Sequence, residues 1–183
     1  QGALGFNEDP GLACRPLDKN RNGISVSEGG CVYTLERESD ALKRGAKIYA
    51  EIISYHTNSD AKDFVLPQTN GQISCMTQAL EKANLSPSDI DIVNLHATGT
   101  KAGDIAEIEA VQSIFRNAPD TSINCTKGHL GHTMGAAGSL ELAGNLPSFN
   151  DNKVHPCHGI EELDENCNLP AIVTKEAINK DVS

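Results

Sequence analysis

Apolar and polar positions follow two rhythms along this chain, and these rhythms predict its elements. Residues 1–30 show neither; they are rich in Gly, Asn, Asp and Pro and read as loop. Cys31-Val32-Tyr33-Thr34-Leu35 and the β-rich run from Lys47 to Tyr55 read as strands. Between them, Glu36 to Arg44 has a short helical pattern that Gly45 stops. Residues 58–68 are polar and predict loop. Ile73, Met76, Ala79, Leu80 and Ala83 then recur at helical spacing. After the turn Ser86-Pro87-Ser88-Asp89, an apolar strand from Ile90 to Leu95 runs into His96. Asp104 to Phe115 predicts an amphipathic helix with Ile105, Ile108, Val111 and Phe115 on one side. A strand follows at 121–126, a helix of small residues at 135–146 and a short strand at 171–174. Strands alternating with helices predict an α/β fold with a largely parallel sheet. Such sheets bind ligands beyond the carboxyl ends of their strands, where His96 and Lys127 fall.

Composition narrows the function classes. Hydrophobic residues make up 38% and charged residues 22%, as in a globular protein. The formal charge of −10 argues against nucleic acid as a partner. No apolar run reaches the roughly 18 residues of a membrane span. The first residues carry no basic stretch followed by an apolar one, so no signal peptide is expected, and the absence of an initiating Met suggests a start inside a longer chain. The six cysteines, Cys14, Cys31, Cys75, Cys125, Cys157 and Cys167, are irregularly spaced and predict free thiols, with Cys125 a buried strand residue.

Two motifs carry candidate chemistry. Asn94-Leu95-His96-Ala97-Thr98-Gly99-Thr100, followed by Gly103-Asp104, puts an imidazole and two hydroxyls at a strand exit. The bland reading is a turn whose His and Thr satisfy local backbone groups. Thr126-Lys127-Gly128-His129-Leu130-Gly131-His132-Thr133-Met134-Gly135-Ala136-Ala137-Gly138 packs a lysine, two histidines and several glycines between a strand and a helix. Its small residues could serve tight packing, which leaves Lys127 and His132 unexplained. The helix that follows would favour negative charge developing near its start. Glu141, nine residues after His132, is either on a solvated face or paired, with Lys127 the expected partner.

Two metal readings compete. Asp18-Lys19-Asn20-Arg21-Asn22-Gly23 resembles the start of a calcium loop, but its twelfth position is Gly29, with Glu28 one place short. A zinc site built from His129, His132, Cys157 and His158 matches no standard spacing. No metal is expected.

The same strings resemble the elongating β-ketoacyl-acyl-carrier-protein synthases, in the right order over nearly the whole chain. The similar segments are Cys14 to Gly23, Arg44 to Ile52, His96 to Thr100 with Gly103-Asp104, the ungapped run Thr126 to Gly138, and Gly159 to Asp164. The resemblance implies a thiolase-like α/β fold, of which residues 31–183 would supply the C-terminal half, incomplete at its C-terminus. Residues 1–30 would link it to an N-terminal half. It also implies decarboxylative condensation of malonyl-acyl carrier protein with an acyl thioester, in fatty-acid or polyketide synthesis. By motif position His96 and His132 would act on the malonyl thioester carbonyl, Lys127 and Glu141 would order them, and Thr98 and Thr100 would hold the phosphopantetheine arm of the carrier protein. No other cofactor is implied. The expected assembly is a cytoplasmic homodimer.

The departures also matter. None of the six cysteines stands where the family's nucleophile does, so that residue is expected upstream of Gln1, and the chain alone is expected to be inactive. Ala97 and Ser27 stand where many members have Gly. A thiolase-type acyltransferase shares the Gly-His-x-x-Gly element but not the His-x-Thr-x-Thr string. A non-catalytic synthase-like partner subunit is a further alternative, against which both histidines and Lys127 are intact.

Overall fold

The computed structural model describes residues 3–63 and 65–183. Gln1 and Gly2 of the first segment, and Phe64 of the predicted 58–68 loop, lie outside the described residues. The elements in chain order are α1 (Glu38–Lys43), α2 (Thr69–Ala83), β1 (Ile92–Asn94), α3 (Lys101–Phe115), β2 (Ser122–Asn124), α4 (Lys127–Leu130), α5 (Ala137–Asn145), α6 (Ser148–Asp151), β3 (Lys153–Val154) and β4 (Ile178–Asn179).

The centre is a parallel pair, β1 beside β2, in the register Ile92 to Ser122, Val93 to Ile123 and Asn94 to Asn124. Ile172 joins as a third parallel rung: Ile123 N–H donates to Ala171 O at 2.8 Å, and Val173 N–H donates to Ile123 O at 3.0 Å. This is the strand predicted at 171–174, reduced to a bridge. The core packs Leu95, Ile108, Val111, Ile123, Cys125 and Cys157 between this sheet and α3. α2 lies along α3. β3 and β4 form a separate antiparallel pair.

Helix α3 begins three residues earlier than its apolar stripe suggests. Thr100 caps it, its hydroxyl accepting from Gly103 N–H at 3.2 Å. The predicted 135–146 helix starts late instead, because a 3-10 turn, Met134–Ala136, precedes α5. The tight packing proposed for its small residues is absent at two of them: a Cβ on Gly135 or Gly138 would meet open space.

Two predicted strands do not form among the described residues. Residues 31–35 and 47–55 join no strand ladder, and Val32, Tyr49, Ile52 and Ile53 are exposed. Strand propensity reflects a side chain fitting a half-buried pleated surface, and here no ladder partner supplies one. The intervening helix appears as α1, and Gly45 follows it with a left-handed φ of +69°.

Residues 3–30 are irregular, as predicted, yet they are built into the core. Leu17, Asp18 and Arg21 are all buried. Asp18 Oδ1 accepts from Asn20 N–H at 2.7 Å and pairs with Arg15 Nε at 3.0 Å. Its Oδ2 accepts from Glu161 N–H at 2.9 Å and Glu162 N–H at 3.0 Å. Burial opposes the Asp18 charge, but the amides of Glu162 and Asn20 and the Arg15 guanidinium outweigh it and hold the carboxyl below its usual range. With both oxygens taken by amides and a guanidinium, this loop staples the N-terminal segment to residues 161–164 instead of cradling calcium. All six cysteines are free thiols, and Cys125 is buried at the end of β2.

Candidate active site

β1 and β2 run parallel and in register, so their exits bring His96 and Lys127 to one edge of the sheet. Lys127 is buried, and its Nζ donates to His96 Nδ1 at 2.9 Å. The same ammonium pairs with Glu141 Oε1, reaching in from α5, so the partner expected for that carboxylate is found. Glu141 Oε1 also lies 3.8 Å from His96 Nδ1. The ring of His132 sits edge-on to that of His96, with centroids 5.1 Å apart and planes at 89°. The four residues singled out from two motifs and a helix therefore form one cluster.

Each imidazole has its Nδ1 occupied by a donor. His96 Nδ1 faces the Lys127 ammonium. His132 Nδ1 accepts from Met134 N–H at 3.0 Å, in a tight turn where Met134 holds a left-handed φ of +52°. Each ring, when neutral, therefore carries its proton on Nε2. The environment favours the neutral forms. Partial burial, then the Lys127 ammonium, hold His96 below the usual imidazole range. Burial, then Lys127 and His96, do the same to His132. Burial also lowers Lys127 from the ordinary amine value. The outer part of His96 stays open, with 55% of its side chain accessible, whereas His132 is 8% accessible.

Thr98 and Thr100 sit at the same edge, hydroxyl to hydroxyl at 3.0 Å. Thr100 is committed to capping α3, which leaves Thr98 the freer hydroxyl.

Two carboxylates that build the site carry no role in the sequence reading. Glu107, on α3, accepts from the backbone N–H groups of His96 and Ala97 with its two oxygens, each at 2.7 Å. It clamps the loop where Ala97 holds a φ of +27°, a region that disfavours a side chain. Asp104, read only as part of a Gly-Asp motif, is fully buried. It accepts from Leu17 N–H at 2.9 Å and Gly99 N–H at 3.1 Å and pairs with Arg21 Nε at 3.1 Å. Burial pushes its carboxyl up to about 6 against the pull of those donors. It ties the N-terminal loop to the His96 loop. Helical spacing puts Asp104 and Glu107, three apart, on one face of α3, but it does not reveal what they bind.

The zinc quartet does not assemble. His129 stacks on His158 at 5.0 Å between centroids and its Nε2 lies 3.1 Å from Pro156 O, while His132 faces His96. Among the described residues, no group of three His, Cys, Asp or Glu could hold a metal ion. Cys125 lies behind the His96 loop, its thiol 3.8 Å from Ala97 O, and burial raises its pKa well above the usual thiol value.

The parallel α/β core that carries this cluster is that of the thiolase-like fold. The chain belongs to the β-ketoacyl synthase family: residues 49–161 match the β-ketoacyl synthase C-terminal domain. It is 41% identical over 152 residues to the chloroplastic 3-oxoacyl-[acyl-carrier-protein] synthase I of Hordeum vulgare, covering 82% of this chain and 33% of that protein. Among solved structures it is similar to the ishigamide ketosynthase/chain length factor, with a TM-score of 0.89 and 34% identity over 99% of this chain and 43% of the other. It also superposes, at a TM-score of 0.89 and 26% identity, on a type II polyketide ketosynthase in complex with its acyl carrier protein, covering 99% of this chain and 45% of that one. The chain thus spans between a third and a half of the length of these relatives.

Proposed function

We propose that this chain is the C-terminal portion of a 3-oxoacyl-acyl-carrier-protein synthase, residues 31–183 forming the C-terminal half. In this reading the whole enzyme performs decarboxylative condensation in fatty-acid or polyketide synthesis. The observation that carries it is the pair of perpendicular imidazoles, both presenting Nε2–H beside a buried lysine. The malonyl thioester loses carbon dioxide, and the electron pair of the broken C–C bond becomes an enolate whose charge gathers on the thioester oxygen. His96 and His132 donate Nε2–H to that oxygen, and neutral donors fixed in advance stabilise the charge without reorganising. The enolate carbon then attacks an acyl thioester on a cysteine, forming the new C–C bond and releasing the thiolate. Cys125 is too buried and too poorly acidic for that role, and the reading assigns it to the part of the enzyme that this segment does not contain.

Lys127 and Glu141 orient His96. Thr98, with Thr100 behind it, receives the phosphopantetheine arm, the only prosthetic group the reading needs. The partner is an acyl carrier protein, supported by the ketosynthase–carrier complex of the same fold. The segments 31–35 and 47–55, with Val32, Tyr49, Ile52 and Ile53 exposed, are the surface proposed to meet the N-terminal half and its homodimer mate. No helix among the described residues is long and apolar enough to cross a membrane; the proposed location is the cytoplasm.

The test is His132→Ala in the full-length protein. Malonyl decarboxylation should disappear while acyl loading of the cysteine persists. Retained decarboxylation would overturn the reading.

A further inference from the structure

Three asparagines lie behind the cluster, each near one of its members in sequence. Asn94 precedes His96 by two positions, Asn124 precedes Lys127 by three, and Asn145 follows Glu141 by four. The parallel register sets Asn94 beside Asn124. Asn94 Nδ2 donates to Asn124 Oδ1 at 2.8 Å. Asn124 Nδ2 donates to Asn145 Oδ1 at 2.8 Å and to His155 O at 3.3 Å. Asn145 Nδ2 donates to the backbone carbonyl of Glu141 at 2.8 Å.

This chain runs one way only. Its last acceptor is a main-chain carbonyl, which cannot donate, so the Asn145 amide can point in one sense. Asn145 then offers only an oxygen to Asn124, and Asn124 only an oxygen to Asn94. The His155 carbonyl fixes the Asn124 amide a second time. Aligned amides polarise one another, and a buried link that fails leaves polar atoms unpaired, so the arrangement resists partial loosening. Asn124, the hub, is 2% accessible.

We infer that Asn94, Asn124 and Asn145 form a positioning relay that locks α5 against the exits of β1 and β2, and so sets where Glu141 meets Lys127 and Lys127 meets His96. Without it, α5 is free to slide or rotate against the sheet. The Glu141 carboxylate would then stop holding the ammonium on His96 Nδ1. His132 is outside the relay, because its Nδ1 is held by Met134 N–H. The kinetic part of this inference rests on the proposed function; the tautomer part does not.

The experiment uses the full-length protein with 15N-labelled histidine and two variants. Asn145→Ala removes the relay's last link with a strong helix former. Asn145→Asp keeps the oxygen facing Asn124 but cannot donate to the Glu141 carbonyl. Long-range 1H–15N spectra of the wild type should show His96 and His132 as Nε2–H tautomers. In both variants His96 should move to a tautomer mixture while His132 stays fixed. Malonyl decarboxylation should fall by about tenfold or more in kcat with KM unchanged, as a misplaced catalytic group predicts. Combining Asn145→Ala with Glu141→Gln should give no further loss beyond Glu141→Gln alone. The relay is refuted if both histidines shift together, if neither shifts, if Asn145→Asp behaves as wild type, or if the two losses multiply. A wild type with no decarboxylase activity would sink the proposed function and leave the histidine spectra to judge the relay.

Discussion

Glu107→Gln isolates the clamp on the His96 loop. The carboxylate gives one oxygen to each of two adjacent amides, at 2.7 Å both. A glutamine keeps one oxygen and turns an NH2 group toward the other N–H, so one donor faces another. A charge-assisted bond is lost, and Ala97, which is buried, has no water to replace it. Hydrogen bonds to charged groups contribute about 1.5–3 kcal/mol, so the variant should lose about 2 kcal/mol of unfolding free energy. The clamp also holds Ala97 at a φ of +27°, where its methyl group costs about 1 kcal/mol. Released, the loop relaxes and carries His96 with it, and in the proposed reaction a displacement near 1 Å costs about a hundredfold in rate. Ala97→Gly alone should be near neutral, since relief of strain offsets the backbone entropy that glycine adds. In the Ala97→Gly background, where there is no strain to relieve, Glu107→Gln should therefore cost about 1 kcal/mol more than in the wild type. Urea unfolding of the four proteins closes this cycle, and malonyl decarboxylation follows the rate. Costs additive within about 0.5 kcal/mol, or a Glu107→Gln protein as stable and active as wild type, would refute the reasoning.

Two further outcomes follow from the same geometry. His96 and His132 are held below the ordinary imidazole value, so the unfolded chain takes up protons near pH 6.5 that the folded one refuses, and their contribution to stability is lost as pH falls below that point. The stability advantage of wild type over His132→Asn should thus shrink between pH 7.5 and 5 in denaturation curves, and an advantage that grows instead contradicts the neutral-donor assignment. A Cβ on Gly128 would overlap the backbone of His158, whereas one on Gly135 would meet nothing within 4 Å; Gly128→Ala should cost about 3 kcal/mol or more and Gly135→Ala less than about 0.5, read as midpoint shifts.

The motifs made the site's side chains legible, because a strand exit dictates where His96 and Lys127 emerge and helical spacing brings Glu141 back to them. The supporting layer was less legible for a physical reason. Glu107 acts on backbone amides, and backbone amides leave no sequence pattern. Asp104 and Arg21 meet across a loop whose path depends on the whole fold. Amphipathic spacing located α2 and α3 within a few residues because the stripe of α3 is buried and that of α2 is partly covered against it. The strands at 31–35 and 47–55 failed for the converse reason: β propensity is realised only against a partner, and the described residues supply none. The calcium-like spacing at Asp18, set aside because its twelfth position is Gly29, has another use: oxygens at alternate positions suit a ring of amides as well as a cation, and only the fold reveals that Arg15 and residues 161–162 fill that ring.

The two imidazoles reach the same protonation by different means, and the difference predicts how they fail. His132 is fixed by a main-chain amide two residues away, so its tautomer depends only on a local turn. His96 is fixed by a side-chain ammonium that needs a carboxylate from α5 to stay in place, and α5 needs its own anchor on the sheet. Perturbations far from the site, along α5 or at the strand ends, should therefore reach His96 and spare His132. Because the supports are independent, the contact made by the more buried His132 survives when that of His96 is lost. Under the proposed chemistry, distant lesions should then weaken decarboxylation in part, whereas removal of the His132 ring should abolish it.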